Sequence, residues 1–224
     1  MQVSIRLNGA DRTFGCAVHD TLLTLLRREG MASVKFGSTS GETGAAAVLI
    51  DGVLASADVV LAAQADGHEV TTLESLNTER GLHPLQEAFT ATGAMQSGYS
   101  VGAMILGTIA LLEHDPDPSE ADIRDMLSGI LDRETAYVKP VAAIRRAAAL
   151  MRGDDVAVFE PLVLEPMTDG VNAVEVAPDD PAPIAPSAVP RLVPSPDVPE
   201  MAVVGQPEVK VDAVRLVKGN PAFT

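Results

Sequence analysis

Residues 2–8, Gln-Val-Ser-Ile-Arg-Leu-Asn, alternate polar and apolar side chains, which predicts a half-buried strand. Asn8-Gly9-Ala10-Asp11 is a turn signal leading to a second strand over roughly 12–18. Asp20 is placed to cap a helix from Thr21 to Glu29, with Leu22, Leu23, Leu25 and Leu26 as its apolar stripe and Gly30 as its end. A stretch rich in Gly, Ser, Thr and Ala follows. The continuous apolar run 45–50 then fits a buried strand and closes on the turn pair Asp51-Gly52. Val59–Ala62 and Glu69–Thr72 predict two further short strands.

From about Leu82 the period becomes helical. Pro84 suits the first turn of a helix running from His83 through Thr90. Val101–Glu113 is apolar all round, which predicts the central, most buried helix of a bundle. Ser119-Glu120-Ala121-Asp122 opens a third helix through Ser128 in the manner of a capping box, and Val138–Arg152 is an Ala-rich fourth. Beyond Gly153 the prolines gather over 154–208 and no period persists, which predicts a stiff, extended linker. Its apolar clusters (Val158-Phe159, Leu162-Val163-Leu164, Ala202-Val203-Val204) could dock on a partner, and a free tail is the alternative.

Composition narrows the function classes. A net charge of −15 argues against nucleic acid and anionic membrane as partners, since both require clustered Lys and Arg. The N-terminus lacks a charged-then-apolar signal, and no apolar run approaches the roughly 20 residues that span a bilayer, so a cytoplasmic location is expected. The single cysteine, Cys16, falls in the second predicted strand and reads as a packing residue, without a neighbouring group to activate it. No nucleophile–base pair, metal-ligand spacing or phosphate loop marks the chain as an enzyme in its own right.

Two stretches carry a more specific signal. The first runs Lys35-Phe36-Gly37-Ser38-Thr39-Ser40-Gly41-Glu42-Thr43-Gly44-Ala45-Ala46-Ala47-Val48-Leu49-Ile50-Asp51-Gly52. The second is Gly93-Ala94-Met95-Gln96-Ser97-Gly98-Tyr99-Ser100, paired with Leu127–Tyr137 downstream. With Leu82-His83-Pro84-Leu85-Gln86-Glu87-Ala88-Phe89 and Tyr137-Val138-Lys139 they recur in order over about the first 150 residues. In that order they resemble the small iron–sulfur subunit of the xanthine dehydrogenase family of molybdenum hydroxylases. The resemblance implies an α+β fold: a β-grasp ferredoxin-like domain over 1–78, then a small four-helix bundle over 79–153. An extended Pro-rich tail occupies 154–203. The last segment, 204–224, resembles the opening of the family's large molybdenum-binding subunit through Gly205, Asp212, Ala213, Val217, Gly219, Ala222 and Phe223.

In the family, eight cysteines hold two 2Fe–2S clusters. The positions matching the first set are Ser38, Thr43, Ala46 and Asp58, and those matching the second are Ser97, Ser100, Asp132 and Glu134. A 2Fe–2S cluster takes soft anionic ligands, and alcohols, carboxylates and a methyl group are poor substitutes. The expectation is therefore vestigial cluster positions, no cofactor and no metal on this chain, and a molybdopterin cofactor on a partner subunit. Ser97, Ser100, Asp132 and Glu134 could instead form an oxygen cage for a hard cation, but such cages need more carboxylates and carbonyls than these. Gln96 matches the family glutamine that lies near the pterin, which implies a cofactor contact there.

The functional expectation is a non-catalytic structural subunit of a molybdenum-hydroxylase-like complex that has lost both clusters, cannot transfer electrons and scaffolds the large subunit in a hetero-oligomer. A second hypothesis makes the chain covalently or evolutionarily part of the large subunit, by a precursor cleaved after Thr224 or a split gene, with the C-terminal segment completing the partner's fold by strand addition. The alternative is an independent binding or regulatory protein on the same degenerate fold.

Overall fold

A computed structural model of the chain describes residues 1–77, 81–96, 98–132, 138–156 and 209–220. The N-terminal part is a five-stranded sheet wrapped on one helix. Strands β1 (Gln2–Leu7) and β2 (Ala10–Gly15) form an antiparallel hairpin, and helix α1 (Leu22–Arg28) follows. Strands β3 (Ala47–Ile50), β4 (Val53–Ser56) and β5 (Glu69–Thr71) complete a sheet ordered β2-β1-β5-β3-β4. β5 runs parallel to β1 and antiparallel to β3, which places the first and last strands side by side at the sheet centre.

The alternation expected for β1 holds, with Val3, Ile5 and Leu7 buried and Gln2, Ser4 and Arg6 exposed. Asn8-Gly9 and Asp51-Gly52 both take positive φ, the geometry that joins two tightly paired strands. Asn8 also ties its hairpin to the end of β5: its Nδ2 donates to Thr72 Oγ1 at 3.0 Å, and its Oδ1 accepts from Thr72 N at 2.8 Å. Thr21 caps α1, accepting from Thr24 N at 3.2 Å. The expected cap, Asp20, instead accepts from Ala17 N at 2.9 Å, stabilising the turn that precedes the helix.

A second correction concerns 59–62. This segment is no strand: it turns into a 3-10 helix over Ala62–Ala65 that buries Ala62 and Ala65. The strand missing from the sequence reading is β4, an edge strand whose residues are exposed or half-buried, so no alternation marks it.

The C-terminal part is helical: α2 (Pro84–Ala91), α3 (Val101–His114), α4 (Glu120–Ser128) and α5 (Lys139–Arg152). α3 is the central helix, buried from Val101 through Thr108. Ser119 and Asp122 cap α4 reciprocally, as the sequence predicts. Two apolar cores result. One packs α1 under the sheet through Val3, Ile5, Leu22, Leu25, Leu26 and Val48. The other unites the helices through Phe89, Met104, Ile105, Ile123 and Ile144, and draws in Ala47 of β3 and Leu73.

A short helix, α6 (Ala213–Val217), packs on the same bundle core through Ala213, Leu216 and Val217. Within the segment expected to add a strand to a partner, residues 213–217 form a helical turn. The predicted linker and its apolar clusters lie outside the described residues, except for 154–156. Among the described residues, no helix is long and apolar enough to cross a membrane.

Candidate cofactor loops

The first candidate loop runs from Lys35 to Ala46, between α1 and β3. Three of its four singled-out positions have side-chain roles that need no ligand. Ser38 Oγ donates to Asp58 Oδ2 at 3.0 Å and accepts from Gly41 N at 3.1 Å. Ser56 Oγ donates to Asp58 Oδ1 at 2.6 Å. Asp58 is a carboxylate only 4% exposed, and each of its oxygens has a hydroxyl partner. Ala46 is fully buried in the sheet core, and its carbonyl accepts from Ala57 N at 2.8 Å. Thr43 lies against Gly37 so closely that a Cβ there would overlap its Oγ1, so the loop is folded tightly on itself.

The second loop lies at the start of α3. Ser100 Oγ donates to Asp132 Oδ1 at 3.1 Å, bringing together two of its four singled-out positions. Ser97 and Glu134, and with them half of the oxygen-cage reading, lie outside the described residues. Among the described residues, no three His, Cys, Asp or Glu side chains gather as a metal site. Gln96 is exposed at the head of this loop.

The two loops abut. Leu131 N donates to Thr43 O at 2.9 Å, and Tyr99 OH donates to the Phe36 carbonyl. Gly44, at φ +64°, faces the Gly129 carbonyl so closely that any Cβ would overlap it. Phe36, Val59, Tyr99 and Leu131 are all exposed on or beside these loops.

Behind the first loop sits a polar group that sequence reasoning missed. Glu74 accepts from Ser33 N at 2.9 Å, from Ser33 Oγ at 2.5 Å and from Thr72 Oγ1 at 2.6 Å. Lys35 is buried beside it. Desolvation, and then the nearby Arg27 charge, hold its pKa below 10.5, while Glu74 pulls the other way. Partners 41 residues apart leave no local pattern to find them by. Cys16 is buried in the sheet core, and its backbone pairs with that of Met1.

Comparison with known proteins bears directly on these loops. A family model described as a 2Fe-2S binding domain matches residues 72–145. The nicotinate dehydrogenase small FeS subunit of Eubacterium barkeri is 39% identical over 146 residues, covering 65% of this chain and 93% of that protein. The nicotine 6-hydroxylase small subunit of Paenarthrobacter nicotinovorans is 34% identical over 145 residues, covering 64% of this chain and 87% of that one. The crystal structure of the aldehyde oxidoreductase from Desulfovibrio desulfuricans superposes with a TM-score of 0.66 at 33% identity, over 69% of this chain and 18% of that larger one.

These matches overturn the expectation of a chain without a cofactor, because a 2Fe-2S binding domain points to an iron–sulfur cofactor. The donor set does not fit a cluster held by thiolates of this chain. One cysteine cannot supply four, and Cys16 lies in the sheet core, outside both loops. Of the singled-out side chains that are described, Ser38 bonds Asp58, Ser100 bonds Asp132, the Thr43 hydroxyl accepts from Ala45 N, and Ala46 is a buried methyl group. On fold, sequence and extent of match, the chain belongs to the family of small 2Fe–2S subunits of the xanthine dehydrogenase-type molybdenum hydroxylases.

Proposed function

We propose that this chain serves a molybdenum-hydroxylase-type complex in a structural role. It seats a molybdenum-binding large subunit rather than relaying electrons through cysteine-held clusters. The observation that carries this reading is the hydroxyl–carboxylate bonding of Ser38 to Asp58 and of Ser100 to Asp132, four of the eight positions that the resemblance matches to cluster ligands, with Ser56 also donating to Asp58. Hydrogen bonds between hard oxygen groups hold a loop closed, but they are not redox centres and are weak ligands for an iron–sulfide core. The apolar side chains exposed around the loops (Phe36, Tyr99, Leu131) suit burial against a partner protein. Gln96, exposed at the rim of the second loop, is the side chain assigned to reach a pterin on that partner.

Removing this chain from its native cells tests the reading. The large subunit is expected to lose stability or molybdenum, and restoring the full chain to recover both. Restoration with Gln96→Ala should recover the large subunit but with reduced molybdenum occupancy. A large subunit that stays intact and loaded without this chain would overturn the structural role. It would favour an independent binding protein built on the same fold.

A further inference from the structure

Residues 209–220 follow the undescribed stretch 157–208 and return to the body of the chain. They sit in a cleft lined by both halves of the fold. From the bundle side, fully buried Gln86 donates from Nε2 to Val217 O at 2.8 Å, while its own Oε1 accepts from His83 N at 3.0 Å. Asn77 Nδ2 donates to Lys218 O at 2.8 Å. Two side-chain amides therefore capture the last carbonyls of α6, groups that a helix end otherwise leaves without partners.

The apolar fit is equally close. A Cβ at Gly98, where φ is +77°, would stand 2.7 Å from Leu216 Cδ2 and 3.1 Å from its Cβ, so the leucine packs directly on this glycine. From the sheet side, a Cβ at Gly219 would lie 2.8 Å from Ser33 Cβ and 3.2 Å from Glu74 Oε1. At five residues α6 is too short to be a stable helix alone, so its helical form derives from the cleft. A segment that folds only against a preformed surface, through buried side-chain donors aimed at its backbone, stands to that surface as a peptide ligand to a receptor.

We propose that the cleft bounded by Asn77, Gln86, Gly98, Ser33 and Glu74 is a peptide-binding seat. Residues 209–220 are its tethered ligand, and their seating fixes the loop that carries Gln96 and Ser100. The ligand class is a short helical turn with Ala, Leu and Val on one face and a following Gly, held by its C-terminal carbonyls. The covalent connection makes seating of such a segment intramolecular, so even a modest intrinsic affinity keeps the seat filled in cis. Because Leu216 lies directly on Gly98, departure of the segment uncovers the loop next to the candidate cofactor contact. The seat depends on the packing of this chain alone and stands whether or not the partner is a molybdenum-binding protein.

The test uses the full chain with a specific protease site inserted between Ser187 and Ala188, cleaved after folding. The C-terminal fragment is expected to stay with the body on size exclusion at micromolar concentration, and excess synthetic 209–220 peptide to displace it. Leu216→Asp, which alters only the ligand, should weaken retention at least ten-fold, and so should Gln86→Ala. Hydrogen exchange over 95–100 should accelerate at least ten-fold when the fragment leaves. Three results would each overturn the proposal: a wild-type fragment that elutes free from a still-folded body, equal retention of the Leu216→Asp fragment, or cleaved protein that unfolds rather than exchanging its fragment. Release without any change in exchange over 95–100 would overturn the control of the loop.

Discussion

Asp58 illustrates how one buried carboxylate can hold a loop in shape. Its carboxylate is buried, and each oxygen accepts a hydroxyl, from Ser38 at 3.0 Å and Ser56 at 2.6 Å. A buried carboxylate costs free energy unless its lone pairs are satisfied, and removing it strands the donors it satisfied. Asp58→Ala should therefore destabilise the chain by about 1–3 kcal/mol in urea unfolding. Asp58→Asn, which keeps one acceptor oxygen, should cost less, and a neutral Asp58→Ala would contradict the bonding described. Cys16 makes the complementary prediction. It is a buried packing residue outside both loops, so Cys16→Ala should leave the iron content of the native complex unchanged. A loss of iron would identify this thiol as a ligand.

Among the elements, α2 carries a pH-sensitive cap. His83 Nδ1 accepts from Leu85 N at 3.2 Å, which only the neutral imidazole can do, and burial holds its pKa below 6.5. The unfolded chain binds this proton at 6.5 and the folded chain only at lower pH, so in between the unfolded state holds more protons and stability rises with pH. This contribution is complete above pH 6.5 and is lost as pH falls from there to the folded pKa. The urea midpoint of the wild type should fall over that window relative to His83→Asn, which keeps a capping acceptor that does not titrate. Parallel profiles would contradict the assignment.

The elements also differ in how legible they were. β1 and α3 announce themselves, one by strict alternation and the other by unbroken apolarity, because each is buried in the way its period requires. β4 does not, because as an edge strand it buries too little for a pattern. The apolar 59–62 segment resembles a strand because Ala62 is buried, but it is buried by a 3-10 turn. At the candidate site, the glycines and flanking residues of the loops marked the positions. The Ser38–Asp58 and Ser100–Asp132 bonds join residues 20 and 32 apart, beyond the reach of any local pattern. The seating of α6 depends on Gln86, 131 residues before its carbonyl partner, and was equally hidden.

For the whole molecule, the sheet domain and the bundle are joined where the two candidate loops meet. Leu131 N bonds Thr43 O there, and Gly44 closes on the Gly129 carbonyl. A 2Fe-2S binding domain model matches the bundle side of that junction, while the chain's one thiol lies away from it in the sheet core. The proposed structural role rests on the apolar side chains exposed beside these loops, which suit burial against a partner surface. The most direct measurement is native purification of the chain with whatever accompanies it, followed by molybdenum, iron and acid-labile sulfide analysis of each component. The account predicts a molybdenum-bearing large subunit in equal ratio with this chain. A chain that purifies without any large subunit would contradict it.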